Sequence, residues 1–265
     1  MKIKPSIRYQ LHDQRLSFLV YYGVMVGMIL LNLLFLPFAG GSDLRITSGG
    51  ITAVTAIFIF IVGLCSFKEP FLLGLQHGIS RRSQFLARLA SMGIGCAFLA
   101  LADEIYTLLV ALLKIPFPNS FFAFSLYEMV YGGSTGTKLF LGLGPMDEAT
   151  ASASHTAPTA ILLSIVFSFF VLLVFNSFGY LVTTLNYRLG KTGKIILWCG
   201  WPALLMASGV LFDANPRLAS ALAAFMVNLA RLCFSTLPRM CLTCLVLTAL
   251  FSALTWLLMR RANAK

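Results

Sequence analysis

Charge is what this chain has least of: 11% of its 265 residues are Asp, Glu, Lys or Arg, and only nine of these are acidic. Soluble domains carry roughly 25% charged residues, so a water-facing surface is excluded for most of the length. Histidine is almost as scarce. His12, His77 and His155 all fall in aqueous or interfacial segments with no ligand-spaced carboxylate or cysteine nearby, which argues against a metal centre and leaves the apolar runs without a base for hydrolytic chemistry. Five of the six cysteines, Cys65, Cys96, Cys199, Cys241 and Cys244, lie within apolar runs, and Cys233 just precedes the last run. No extracellular disulfide framework is visible, and Cys241-x-x-Cys244 lacks the partners a zinc or redox site needs, so packing is the reading for all six. A phosphate loop is missing too. Gly190-Lys191-Thr192 imitates its end, but Leu185 stands where the earlier glycine belongs, and Gly132 to Lys138 is Gly-rich without the required order. The chain is therefore read as no enzyme and as binding no cofactor of its own.

What is present is apolar length. Hydrophobic residues make up 58% of the chain, the mean hydropathy is +0.87, and a bilayer core of about 30 Å needs roughly 20 such residues per helix. Runs bounded by charge, Gly or Pro predict six spans over 17–36, 51–67, 85–113, 159–181, 195–212 and 240–259. The fold class expected is an all-α integral membrane protein forming one transmembrane domain over 1–265. The first run exceeds a signal-peptide core and lacks a small-residue cleavage site, so it is expected to be retained. With six spans both termini share one side, and that side collects Lys2, Lys4, Arg8, Arg15, Lys68, Arg81, Arg82, Arg88, Arg188, Lys191, Lys194, Arg260, Arg261 and Lys265, fourteen of the twenty basic residues. The positive-inside rule then puts both termini in the cytoplasm. The net charge of +11 is distributed as topology and as contact with anionic lipid, not as a nucleic-acid face.

Three connections carry further structure. Leu218, Leu222, Phe225, Met226, Leu229 and Leu232 recur at helical spacing, predicting an amphipathic outer-leaflet helix before the sixth span. The connection 114–158 opens on Ile-Pro-Phe-Pro and passes through aromatic Phe121 to Tyr131, so part of it is expected in the interface. Between the second and third spans, Glu69-Pro70-Phe71-Leu72-Leu73-Gly74-Leu75-Gln76-His77-Gly78-Ile79-Ser80-Arg81-Arg82 is too apolar for a solvated loop. Pro70 suits a helical first turn, Gly78 a left-handed stop and Ser80 the cap of the next helix. A short inner-face helix is predicted, with Phe71, Leu72 and Leu75 exposed to lipid or to a groove on a partner. Arg81 and Arg82 oppose the dipole of the helix they begin.

Asp103 and Glu104 are the costliest residues, since they follow an apolar stretch from Leu89 well inside the third span. Contacts to a neighbouring helix, to outer headgroups or to Arg231 or Arg239 compete there with a substrate-path or proton-relay role.

The Gly-Ile-Ser-Arg-Arg stretch, Gly78 to Arg82, after a short cytoplasmic helix resembles small bacterial permeases of the type-2 ATP-binding-cassette exporter class. The resemblance covers nearly the whole plan: six spans, termini inside, an inner-face helix before the third span and an amphipathic outer helix before the sixth. It implies two permease subunits, identical or different, in a bacterial cytoplasmic membrane, with two separate cassette ATPase subunits beneath them. Glu69, Pro70, Phe71, Leu72, Leu75, His77, Gly78, Ser80, Arg81 and Arg82 would then form the coupling helix, and Arg8 to Arg15 an N-terminal elbow helix. Some members of that class act in bacteriocin or peptide-antibiotic export and immunity, and an amphipathic, peptide or lipid-like substrate is implied. The connection 114–158 is longer than a minimal member needs. An ion-coupled carrier using Asp103 and Glu104, and a membrane subunit with no transport of its own, remain as alternatives.

Overall fold

The computed structural model describes residues 3–35, 46–48, 51–113, 115, 121–122, 125–131, 158–190, 193–194, 199–200, 206 and 215–260. Helices dominate: α1 (Ile3–Phe35), α2 (Ile51–Cys65), α3 (Lys68–Gln76), α4 (Arg81–Leu113), α5 (Leu126–Tyr131), α6 (Pro158–Arg188), α7 (Pro216–Phe234) and α8 (Leu237–Arg260). A two-residue strand, β1 (Ile46–Thr47), pairs in parallel with another, β2 (Phe121–Phe122), tying together the segments that follow α1 and α4. α1, α4, α6 and α8 are long and apolar enough to cross a membrane. α2 is apolar but has 15 residues, about 22 Å at 1.5 Å per residue.

Polarity in this bundle is inverted relative to a soluble protein. Leu19, Leu34 and Leu242 are more than 60% exposed, whereas Arg88, Asp103, Glu104 and Asn176 are at most 5% exposed. Lipid accepts the apolar faces, and polar groups find partners only between helices. This arrangement, with four spanning-length helices, makes the chain an all-helical membrane protein.

α6 is the hub, packing against α2, α4 and α8. Its buried stripe takes every fourth residue: Ser164, Ser168, Leu172, Asn176, Tyr180 and Thr184. Since four residues overshoot a 3.6-residue turn by roughly 40°, the stripe winds and meets several neighbours in turn. Small residues let α2 and α6 approach closely: a Cβ on Gly63 would lie 2.8 Å from the Asn176 carbonyl oxygen, and one on Gly179 would collide with the Phe60 carbonyl. Contact pairs give the directions. Gln10 with Ser91 and Tyr22 with Asp103 make α1 and α4 parallel. Tyr21 with Thr55 and Phe18 with Phe58 make α2 antiparallel to α1. Glu104 with Ser164 and Arg88 with Asn176 make α6 antiparallel to α4, while Phe167 beside Met240 and Phe178 beside Phe251 make α8 parallel to α6.

Some boundaries depart from expectation. The separate elbow helix over 8–15 is not formed; α1 runs through it without interruption, because no Gly or Pro lies between Pro5 in the first turn and Gly23. The second span ends at Cys65, not 67, as Ser66 and Phe67 turn the chain into α3. The fifth expected span, 195–212, lies almost wholly outside the described residues, as does most of 114–158. Within the latter, α5 begins with a reciprocal capping box: Ser125 N–H donates to Glu128 Oε2 (3.0 Å) and Glu128 N–H to Ser125 Oγ (3.2 Å). The amphipathic helix before the last span is present as α7, with Leu222, Phe225, Met226, Leu229 and Leu232 exposed.

Candidate functional site

The segment from α2 to α4 folds by its capping residues. Glu69 sits in the first turn of α3, where a carboxylate favours the helix dipole. At the other end Gly78 takes φ +67°, and Ile79 N–H reaches back five residues to the Gly74 carbonyl at 2.9 Å. That bond and a left-handed glycine define a Schellman stop. Ser80 caps α4, its Oγ accepting from Ser83 N–H at 3.3 Å. Arg81, which opposes the dipole of its own helix, resolves the conflict on another: its Nη1 donates to the carbonyl of Arg260 at 2.8 Å, the last residue of α8, where a cation is favoured.

One side of α3 is consumed by internal packing. Phe67 and Phe71 are at most 2% exposed and cluster with Met92, Tyr180 and Met259 from α4, α6 and α8. Phe67 stacks on Phe71 at 5.0 Å and meets Tyr187 edge-on at 5.3 Å. The expectation of an exposed Phe71 is thus corrected: its ring fills a hole in the chain's own bundle, which a hydrophobicity pattern does not distinguish from a partner's groove. Pro70 and Leu72 are half-buried, Glu69, Leu73, His77 and Arg82 are exposed, and the side chain of Leu75 lies outside the described residues.

A polar layer lies just inside this cluster. Arg88, read from sequence as a boundary cation, is buried among helices, its guanidinium 5.0 Å above the Tyr180 ring and its Nη2 donating to Asn176 Oδ1 at 3.4 Å. Asn176 Nδ2 in turn approaches Cys96 Sγ at 3.6 Å. Ser91 Oγ donates to Gln10 Oε1 at 2.7 Å, joining α1 to the layer. Gln84 is 5% exposed and packs against Gly74 of α3. Its amide and Arg88 Nε have no hydrogen-bond partner among the described residues. They line a cavity of about 10 Å³, the size of one water.

Asp103 and Glu104 form a second layer, fifteen residues or about 22 Å along α4 from Arg88. Asp103 Oδ1 accepts from Thr55 Oγ1 at 2.8 Å and from Tyr22 OH at 3.0 Å. Because Thr55 spends its one proton on Asp103, Tyr21, 2.8 Å away, donates to Thr55. A chain Tyr21–Thr55–Asp103 therefore links α1, α2 and α4. Glu104 points to α6, where Ser164 Oγ donates to its Oε2 at 2.7 Å. The contacts are to neighbouring helices; the alternative partner Arg239 instead donates to Ser235 Oγ, and the side chain of Arg231 lies outside the described residues.

The structure therefore brings Asp103 and Glu104 to one level but holds them apart from the α3 residues, which sit at the other end of α4. Sequence reasoning overlooked Asn176, Ser164 and the glutamines of α1 and α4; the four-residue spacing of polar positions in α6 was the available signal. Among the described residues no group of three or more His, Cys, Asp or Glu is placed to hold a metal ion. Comparison with family models, curated proteins and solved structures returned no match of any kind.

Proposed function

We propose that the chain is the membrane-spanning permease subunit of an ATP-driven exporter, with ATP hydrolysed by a separate cytoplasmic subunit that engages α3. The observation that carries this reading is the construction of α3. It is a short helix ended by the Gly78 stop and docked through Phe67 and Phe71 onto α4, α6 and α8, while Glu69 and Leu73 on the helix and His77 and Arg82 after it stay exposed. A push on the exposed side is delivered to several spanning helices at once, as a coupling element requires. In this reading the chain crosses the membrane six times with both termini in the cytoplasm. Support for the fifth crossing comes from α6 and α8 being parallel: a chain leaving one end of the bundle at Arg188 and re-entering at the other by Leu237 needs a return crossing, for which 195–212 has the apolar length. A second permease subunit completes the pathway, and the substrate is amphipathic, peptide or lipid-like.

The test is to replace Gly78 to Arg82 with a Gly/Ser stretch of equal length and measure ATPase stimulation by the reconstituted chain. The reading expects stimulation to vanish while helix content is retained; unchanged stimulation would refute it.

A second reading, ion-coupled transport, is favoured by one observation: Asp103 is 2% exposed and its Oδ2 has no hydrogen-bond partner among the described residues. An intramembrane carboxylate held this way is a common proton or cation carrier. Asp103→Asn separates the two readings, since it is expected to abolish an ion-driven cycle and to leave an ATP-driven one running.

A further inference from the structure

Along α1, Arg8, Leu11, His12, Arg15, Tyr22 and Val26 recur at intervals of three, four or seven residues, and so lie on one face of the helix. The first half of this face is cationic and the second apolar or aromatic. Asp13 is displaced about 100° around the helix from His12, away from the ladder. Arg8, His12 and Arg15 are exposed.

The same face borders two adjoining cavities. One, of about 350 Å³, is an open hollow along α1 itself, lined by Arg8, His12 and Arg15; the other, of about 850 Å³, runs between α1 and α4, and the two share Leu11 and Arg15. The wall from α4 is apolar, through Phe98, Ala102 and Ile105. From Arg15 to Val26 is eleven residues, about 16 Å, which matches one leaflet of a hydrocarbon core about 30 Å thick. A groove of one-leaflet depth, apolar along its length and opening at one end onto two guanidinium groups and an imidazole, is complementary to an amphiphile with a single chain in the groove and an anion at its head.

We infer that the α1–α4 groove is a binding site for an anionic phospholipid, with one acyl chain between Phe18 and Ile105 and the phosphate held by Arg8, His12 and Arg15. The site needs only that α1 crosses a membrane. It is independent of whether the chain transports anything, so its failure and that of the exporter reading are separable. Guanidinium groups at the phosphate supply charge-assisted, bidentate hydrogen bonds, and the continuous helix through 8–15 holds them in register above the groove. A zwitterionic lipid fits the groove but brings its own cation to the ladder and is bound more weakly.

The experiment uses the full chain in nonionic detergent. Phosphatidylglycerol or phosphatidylcholine with the same acyl chains is titrated in, and adducts are counted by native mass spectrometry. The expected result is one saturable phosphatidylglycerol adduct per chain, at least 10-fold tighter than phosphatidylcholine. R8Q/R15Q is expected to weaken it about 10–30-fold, and Ala102→Trp, which fills the groove and leaves the cations in place, to abolish it. Arg217→Gln on α7 is expected to leave it unchanged. Equal binding by all variants, displacement of the lipid by inorganic phosphate alone, or a disulfide between two copies of Ala102→Cys would overturn the assignment. Should Ala102→Trp fail to fold, photolabelling of the unaltered chain with a phosphatidylglycerol carrying a diazirine on its acyl chain decides: label concentrated on Phe98, Ala102 and Ile105 supports the site, and label spread equally over exposed Leu242 and Leu247 of α8 refutes it.

Discussion

Replacing Gly179 or Gly63 by alanine tests the hub of the bundle at its tightest crossing. Carbon approaches a carbonyl oxygen comfortably at about 3.3–3.6 Å, and a Cβ on Gly63 would stand 2.8 Å from the Asn176 oxygen and 3.2 Å from the Gly179 Cα. The obstacle is backbone on both sides, so no rotamer change relieves it and α2 must move away by at least ~0.5 Å. A gap of 0.5–1 Å forfeits roughly a quarter to a half of the dispersion well for each contacting pair, and overpacking of this kind costs about 1–3 kcal/mol. Alanine's better helix propensity returns at most about 1 kcal/mol. Gly179→Ala, whose Cβ would meet the Phe60 carbonyl more closely still, is expected to be the worse of the two. The two effects are expected not to add, because the glycines face each other. Gly93→Ala, where nothing lies within 4 Å, is the control and is expected to hold or gain stability. Unfolding in mixed micelles of rising dodecyl sulfate fraction, followed by circular dichroism, reads the three single variants and the Gly63→Ala/Gly179→Ala double variant. If Gly63→Ala and Gly179→Ala unfold at or above the wild-type detergent fraction, α2 and α6 do not approach as described.

Phe71→Ala removes a ring that is 2% exposed and is expected to cost about 3–5 kcal/mol and to undock α3, raising the reactivity of a cysteine placed at Leu72 towards a water-soluble maleimide. Leu73→Ala, on the exposed side, is expected to leave that reactivity and the stability unchanged while lowering ATPase binding. Gly78→Ala forces a Cβ into φ +67° and is expected to lose about 1–2 kcal/mol, with Gly78→Asn losing less; the same detergent titration separates them. Asp103→Leu removes the acceptor of the Thr55 and Tyr22 hydroxyls, which then turn to Tyr21 OH at 2.8 Å and the Leu99 carbonyl at 3.0 Å, and is expected to cost about 1–2 kcal/mol, whereas Asp103→Asn keeps an acceptor and is expected to cost less than about 1 kcal/mol.

Local signals in the sequence carried far. Gly78 and Ser80 each have a backbone role that a residue type alone dictates, and both are found in it. The lengths of the apolar runs placed α1, α4, α6 and α8. The reciprocal Ser125–Glu128 cap is equally legible as a Ser-x-x-Glu spacing ahead of a short helix. Other features were beyond a pattern of polarity. Hydrophobicity says that Phe71 avoids water but not whether lipid, a partner or Tyr180 takes it in. Arg88 sits at the end of an apolar run, where cations commonly mark the membrane surface, and only the fold supplies Asn176 and the Tyr180 ring that let it lie inside. Asp103 advertised a need for donors, but those it obtains, Thr55 and Tyr22, come from two other helices at separations of 48 and 81 residues, which no local rule reaches.

The exporter account stands on a cytoplasmic ATPase gripping α3, and affinity purification from the native membrane in mild detergent tests that most directly. Proteins retained with the chain are identified by mass spectrometry and assayed for ATP hydrolysis, in parallel with a chain whose 78–82 segment is replaced by Gly/Ser. The account predicts a cassette ATPase with the native chain and its loss from the altered one. A chain recovered alone and folded, with no ATPase activity in either preparation, would contradict it.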